Sequence, residues 1–149
     1  MDETDRQILR ILQVNCSMSV SDVAREVGLS PSPCWKRIER LNNEGIIKRR
    51  IAVLNPETLG FGITAYVSIR TGEHSTEWLK SFSNTVTEMP EVMEFHRMAG
   101  DVDYMLKVIV TDIQAFDAFY KRLISTSAIN EVTSRFSMET IKDTTALPI

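Results

Sequence analysis

The sequence predicts an α+β protein of 149 residues that is built in two parts. Apolar residues recur at helical spacing through the first fifty residues, and after Gly45 they alternate with polar residues, as is typical of strands. The rest of the chain follows the order strand, helix, strand, strand, helix, strand. We therefore expect a helical domain at 1–46, a connecting strand and linker at 47–60, and an αβ sandwich at 61–149.

Three short helices account for the first part. Asp2 and Ser19 are each followed three residues later by an aspartate, and Ser30 is followed by Pro31; these patterns are typical of helix starts. A short turn at Gly28 joins the second and third helices, with helix-turn-helix spacing. The apolar stripes predicted to face the core are Ile8, Ile11, Leu12 and Val14; Val20, Val23, Ala24 and Val27; and Cys34, Ile38 and Leu41.

The segment IIKRRIAVLN at 46–55 predicts a connecting strand, and Pro56 to Gly60 marks the linker. Beyond it, strands are expected at 61–70, 91–99, 103–111 and 130–140, with helices at 76–89 and 113–125. A βαββαβ order predicts a ferredoxin-like sandwich, in which both helices cover one face of an antiparallel four-stranded sheet.

The uncovered face of that sheet carries Tyr66, Met105 and Ile109 among polar side chains. A broad apolar surface of this kind predicts a homodimer. The alternative is that these side chains are scattered surface hydrophobic residues, which are common.

The formal net charge of −3 is unevenly distributed. Residues 1–50 carry nine Lys or Arg against seven Asp or Glu, and residues 36–50 carry six against two. A basic patch in an acidic chain favours a polyanionic partner, although a solvated helix face would look the same. Apolar runs are too short to span a membrane, which predicts a cytoplasmic protein without a membrane partner.

Two cysteines and two histidines exclude a disulfide framework and a zinc cluster. The sequence also has no Gly-rich phosphate loop, nucleophile elbow or metal-ligand spacing, so we expect no enzyme, no cofactor and no metal. Cys16 and Cys34 are interpreted as small core side chains, and Trp35 is expected to pack against the first helix. His74 and His96 are interpreted as structural.

The outer face of the third helix is the first candidate site. Ser32, Pro33, Lys36 and Arg40 lie opposite its apolar stripe, with Arg37 at the margin. Hydroxyl groups at a helix N-terminus and long basic side chains further along can contact phosphates and base edges in the major groove of DNA. A three-helix protein-interaction module with a charged outer face is the alternative.

The second candidate site is the tight connection Gly100-Asp101-Val102-Asp103. A free amino acid needs a carboxylate for its ammonium group and clustered N–H donors for its carboxylate, and a Gly-containing turn with flanking acids offers both. An ordinary hairpin with polar turn residues fits the same pattern.

The segments LSPSPCWKRIERLNNEGIIKRRIAVLNPETLG and AGDVDYMLKV resemble two motifs of the Lrp/AsnC family of transcription regulators, and the resemblance extends along the whole chain. It implies a winged helix-turn-helix, a connecting strand, and an amino-acid-sensing sandwich that dimerises through its sheet and commonly assembles into octamers. The Cys-Trp-Lys-Arg sequence at 34–37 is similar to a branch with cysteine-responsive members.

Carried over to this chain, the resemblance implies two sets of site residues. The residues expected to face double-stranded DNA are Ser30, Ser32, Pro33, Lys36, Arg37 and Arg40. The residues expected to bind a small amino acid, such as cysteine or leucine, are Met98, Gly100, Asp101, Val102, Asp103, Thr144 and Thr145. The rival function is a ligand-independent, nucleoid-type architectural DNA-binding protein.

Overall fold

The structure is a computed structural model that describes residues 1–125 and 129–149. The chain divides into two compact units. The first, which we call the helical unit, consists of Met1–Val53 and Ile141–Ile149. The second, the sheet unit, consists of Leu54–Thr140. We call Ile141–Ile149 the return segment.

The helical unit contains the three predicted helices, α1 (Glu3–Leu12), α2 (Val20–Glu26) and α3 (Pro31–Asn43). The side chain of Asp2 accepts the Asp5 N–H and the Asp5 side chain accepts the Asp2 N–H, which forms the expected capping box. Ser19 caps α2 by accepting the N–H of Asp22.

The N-terminus of α3 differs from expectation. Ser30 occupies the cap position and Pro31 the first helical position, but the Ser30 side chain makes no capping hydrogen bond. An N-cap oxygen normally accepts from the second or third helical N–H, and Pro33 at the third position has none. Because Pro31 also lacks an N–H, only Ser32 among the first three residues of the helix can donate from its backbone.

The core of the helical unit contains most residues of the predicted stripes, but Val14 is 80% exposed and lies outside it, whereas Leu9 was not predicted and is buried. Its buried members are Ile8, Leu9, Val23, Ala24, Cys34, Ile38 and Leu41. Gly28 and Gly45 lie just beyond the ends of α2 and α3 with φ of +67° and +71°, a backbone conformation that glycine adopts without strain.

The return segment packs against this unit. The side-chain amide of Gln13 both donates to the carbonyl of Leu147 and accepts its N–H, each at 2.9 Å. Arg10 Nε donates to the carbonyl of Ile149, and the Ile149 side chain packs against the core. These residues were predicted to belong to the sandwich at 61–149, because sequence order alone gives no sign of this contact.

The predicted connecting strand at 47–55 is wrong. The structure assigns no strand there, and β1 begins at Ile63. Ile47 packs against the helical core, whereas Ile51, Val53 and Leu54 are exposed. Alternation makes a segment compatible with a strand, but a strand also needs a hydrogen-bonded neighbour, and no described strand pairs with this one.

The sheet unit has the predicted βαββαβ order. Its elements are β1 (Ile63–Arg70), α4 (Thr76–Thr87), β2 (Val92–Arg97), β3 (Tyr104–Val110), α5 (Ile113–Ser125) and β4 (Glu131–Phe136). The strands pair antiparallel in the order β2-β3-β1-β4. The α+β fold class and the sandwich topology are therefore confirmed.

The two faces of the sheet differ as the alternation predicts. Ala65, Val67 and Ile69 of β1 are fully buried in the core that contains Phe82 of α4 and Phe119 of α5. On the opposite face the core-forming helices provide no cover, and that face carries Tyr66, Met105 and Ile109. Tyr66 is 43% exposed, so an apolar surface is available there for a partner.

Candidate DNA interface and effector cleft

Helix α3 turns its predicted DNA-facing residues away from the core. Because Cys34, Ile38 and Leu41 are buried, the opposite side of the helix faces outward. Five of the six predicted residues are exposed: Ser30, Ser32, Pro33, Lys36 and Arg40. Three basic residues further along the chain are exposed as well: Lys48, Arg49 and Arg50. Arg37 is half-buried, and its surroundings differ from those of the others.

Arg37 and Arg40 bind carboxylates at the start of α1. Arg37 Nη1 lies 2.7 Å from Asp2 Oδ2 and 2.8 Å from Asp5 Oδ1, and Arg40 Nη2 lies 2.6 Å from Asp5 Oδ2. The Asp5 side chain is completely buried. From the sequence, Asp2 and Asp5 are expected only as capping residues; their bonds to α3 were not predicted, because they join positions more than thirty residues apart.

The charges of this cluster are mutually stabilised. Burial raises the pKa of Asp5, but the Asp2 N–H and the guanidinium groups of Arg37 and Arg40 outweigh it and lower the pKa to about 2. The hydrogen bonds to Asp2 and Asp5 raise the pKa of Arg37. Arg40 keeps a 46% exposed side chain, whereas that of Arg37 is 30% exposed. Arg40 is therefore the more accessible of the two guanidinium groups.

Trp35, which was expected to pack against α1, is 51% exposed and does not belong to the buried core of this unit. The expectation for Cys16 is wrong. Cys16 is exposed in the loop before α2 and is not a core side chain. Cys34 is buried as predicted, and burial raises the pKa of its thiol, which disfavours the reactive thiolate.

In the sheet unit, Asp103 holds the predicted effector loop in place. Its carboxylate accepts the N–H of Thr71 at 2.8 Å, its own N–H donates to the carbonyl of Ile69, and its carbonyl accepts the N–H of Met98. Gly100 turns the chain with a φ of +131°. Asp103 thus ties the loop to the end of β1, while the neighbouring Asp101 is exposed.

Asp101 lines a cleft of about 110 Å³ on the open side of the sheet. The lining residues are Ser68, Arg70, Asp101, Val102, Glu131, Thr133 and Arg135. Two guanidinium groups and two carboxylates therefore face one small space. Arg70 Nη1 lies 3.4 Å from Glu131 Oε2, and Arg135 Nη1 donates to Ser68 Oγ at 3.1 Å.

Of the predicted effector residues, the structure brings only Asp101 and Val102 to this cleft. The β1 and β4 residues of the cleft were not predicted; they become neighbours through the antiparallel register that pairs Arg70 with Glu131 and Ser68 with Thr133. Alternation of polar residues along these strands was the available signal, but it does not identify the partner strand.

Thr144 and Thr145 belong to the return segment and are exposed. The Thr144 hydroxyl accepts the N–H of Ala146 at 3.1 Å, which stabilises a local turn. Their effector role remains a prediction that depends on the family resemblance alone.

Within residues 1–125 and 129–149, no group of three acidic, histidine or cysteine side chains is placed to hold a metal ion. Over the same ranges, no helix has the length and apolar character needed to cross a membrane. His96 lies 3.1 Å from Glu94 on β2.

Two family models match the chain. A winged helix-turn-helix DNA-binding model matches residues 1–48, and a model of the Lrp/AsnC ligand binding domain matches residues 64–147. A curated relative, the DNA-binding transcriptional activator DecR of Escherichia coli K12, is 49% identical over all of this chain and 99% of its own length.

Solved structures of transcriptional regulators superpose closely on this chain. An AsnC family transcriptional regulator from Agrobacterium tumefaciens superposes with a TM-score of 0.96 at 55% identity, covering 99% of this chain and 97% of the other. A transcriptional regulator from Neisseria meningitidis, solved as a complex with L-Met, superposes with a TM-score of 0.95 at 33% identity, covering 99% and 96%.

Proposed function

Because this chain belongs to the Lrp/AsnC family of DNA-binding transcription regulators and is not an enzyme, we propose that it contacts specific duplex DNA through α3 and responds to a small amino acid bound beside Asp101. The observation that carries the effector part is the cleft in which two guanidinium groups and two carboxylates face one another.

The proposed DNA contacts come from the side chains of α3 that are exposed, and the half-buried Arg37 has a different role. Ser32, Lys36 and Arg40 are exposed on α3, so they reach base edges or phosphates, and Ser30 and Pro33 flank them at the start of the helix. Arg37, which is bound to two aspartates, mainly sets the angle of α3 against α1. Lys48 to Arg50 add phosphate contacts.

This arrangement predicts strongly salt-dependent binding. If a dimer neutralises about six phosphates, log K should fall with log salt at a slope of about −5. Fluorescence anisotropy of labelled duplexes at several salt concentrations measures it. A slope shallower than about −2 would contradict the proposed interface.

The cleft suits the zwitterion of an amino acid. Arg135 or Arg70 would bind the α-carboxylate, and Asp101 or Glu131 the ammonium group. Its volume of about 110 Å³ favours a compact side chain. Cysteine and leucine are the effectors implied by the sequence resemblance, and the Neisseria relative was solved with L-Met.

Assembly follows from the exposed face of the sheet. Tyr66, Met105 and Ile109 form the apolar centre of a homodimer interface, and dimers associate further into an octamer. A ligand that binds the octamer more tightly than the dimer shifts the equilibrium between them toward the octamer, by at most the ratio of its affinities for the two states. Light scattering with and without amino acid tests both steps, and a monomer would refute them.

The deciding experiment is a thermal-shift screen of the twenty amino acids. Ligand at a hundred times its dissociation constant should stabilise the protein by about 2.7 kcal/mol. Asp101→Ala should lose the response and keep its melting temperature. Asp103→Ala, which loses the bond to the Thr71 N–H, should melt earlier even without ligand. If none of the twenty has an effect while specific DNA binding persists, the ligand-independent architectural function takes the place of this one.

A further inference from the structure

We propose that Trp35 determines DNA sequence specificity by packing its indole ring against the methyl group of a thymine in the major groove. This inference depends on the proposed use of α3 as the DNA-contacting helix. Trp35 was expected to pack against the first helix, and it is not among the residues predicted to face DNA.

The position of Trp35 on α3 is the first argument. Because each helical residue turns by about 100°, Trp35 lies beside the buried stripe rather than opposite it and shares its flank with Ser32 and Glu39. The other flank carries Arg37 and Arg40, whose guanidinium groups bind Asp2 and Asp5. The flank of Trp35 carries no such connection to α1.

Exposure is the second argument. About half of this large ring is open to solvent, and it makes no ring–ring contact with any residue in the described ranges. Lys36 follows it directly and is exposed as well. An exposed aromatic ring beside a cationic side chain is suited to a polyanionic partner that also presents apolar groups, as DNA does.

The N-terminus of α3 provides the third argument. A helix N-terminus often binds a phosphate through its free N–H groups, but Pro31 and Pro33 remove two of the first three. Side chains must therefore provide most of the contacts in this part of the groove. Ser32 offers a hydroxyl, Lys36 a cation, and Trp35 the only large apolar surface.

The chemistry of the ligand follows from that surface. The thymine C5 methyl is the apolar feature that base pairs present in the major groove, and apolar side chains contact it. An indole cannot replace an arginine in binding guanine O6 and N7, since it has a single N–H donor. Trp35 should thus favour thymine at one position and be indifferent to guanine.

The test uses the full chain and a duplex selected by it from a random DNA pool. Each thymine of the selected duplex is replaced in turn by deoxyuridine, which removes only the methyl group. For the unmodified protein, one replacement should weaken binding about fourfold, as expected for one buried methyl group. The Trp35→Ala variant should bind the original and that replaced duplex equally.

Val14→Ala is the matched control, because Val14 is 80% exposed on the same unit and lies outside α3. It should respond to every replacement as the unmodified protein does. If Trp35→Ala remains sensitive to the same deoxyuridine, or if it loses affinity for random and selected DNA alike, the inference is overturned. If the unmodified protein enriches no sequence, the proposed function fails instead.

Fluorescence gives an independent result. The chain has two tryptophans, and Trp78→Phe leaves Trp35 as the only one. Trp78 is stacked on Phe82 in the sheet unit, so its loss leaves α3 unchanged. Selected DNA should shield Trp35 from acrylamide quenching severalfold, whereas unchanged quenching in the complex would also overturn the inference.

Discussion

In the helical unit a buried carboxylate at the start of α1 binds two guanidinium groups beside an apolar core, whereas the core of the sheet unit contains a cluster of aromatic rings. Asp5 connects α1 to Arg37 and Arg40 of α3. In the sheet unit, Phe82 lies 4.8 Å from Trp78 and 5.4 Å from Tyr104, measured between ring centroids.

This difference shows how one chain keeps two units responsive to different conditions. Apolar burial in the sheet unit depends on no ionised group and therefore changes little with pH. The position of α3 depends on ionised groups, so acid should weaken the helical unit first. Each unit can therefore be perturbed separately.

The largest effect is expected in the sheet unit. Phe82→Ala removes a fully buried ring at the centre of the aromatic cluster and should cost about 4 kcal/mol of unfolding free energy. Urea unfolding followed by Trp78 fluorescence, in a Trp35→Phe background, measures it. Ile113→Ala, at a side chain 55% exposed on α5, is the control and should change stability little. A loss below about 1 kcal/mol for Phe82→Ala would contradict the aromatic core.

A smaller, pH-dependent effect is expected in the helical unit. The pKa of Asp5 is about 2 in the folded protein against 3.8 for an ordinary aspartate, so its ionised form stabilises the fold above pH 4. This stability, about 2 kcal/mol, is lost as the pH falls through 4 toward 2. Circular dichroism of urea unfolding between pH 7 and 2 should show the loss.

Asp5→Asn should lower stability at pH 7 and remove that part of the acid dependence. Glu26→Gln, at an exposed position of α2, is the control and should keep the acid dependence of the unmodified protein. Equal acid sensitivity in the unmodified protein and Asp5→Asn would show that the carboxylate does not hold α3.

The smallest effect concerns the return segment. Ile149→Ala removes an apolar side chain that is only partly buried against the helical core and should cost about 1 kcal/mol. Leu147→Ala is the matched control, because its side chain is 67% exposed and its bonds to Gln13 come from the backbone. Hydrogen exchange of the α1 amides compares the two variants. Equal protection of these amides in both variants would show that the Ile149 side chain does not contribute to the helical core.

The local patterns of the sequence predicted both folds well, because helix periods, caps and strand alternation depend on neighbours a few residues apart. What it missed depends on distant partners. Trp35 lies one position from the buried stripe, so helical periodicity alone does not determine whether its ring is buried or exposed. The bonds from Asp5 to Arg37 and Arg40, and the cleft that joins Asp101 to Arg135, depend on how separate elements pack.

The prediction of a strand at 47–55 is wrong for a related reason. Alternation of apolar and polar residues indicates an extended conformation, but it does not show which strand would pair with the segment. In the loop at 100–103, sequence reasoning identified the two acids but could not distinguish their roles. The structure distinguishes Asp103, which accepts a backbone N–H, from the exposed Asp101.

The return segment also has a consequence for how the protein is made. Gln13 and Leu147 are 134 positions apart, and every strand of the sheet lies between them. On a ribosome, α1 to α3 emerge first but cannot complete their packing until the residues that follow the sheet have been synthesised. The helical unit therefore gains the contacts of α1 with the return segment only after the sheet unit has had time to fold.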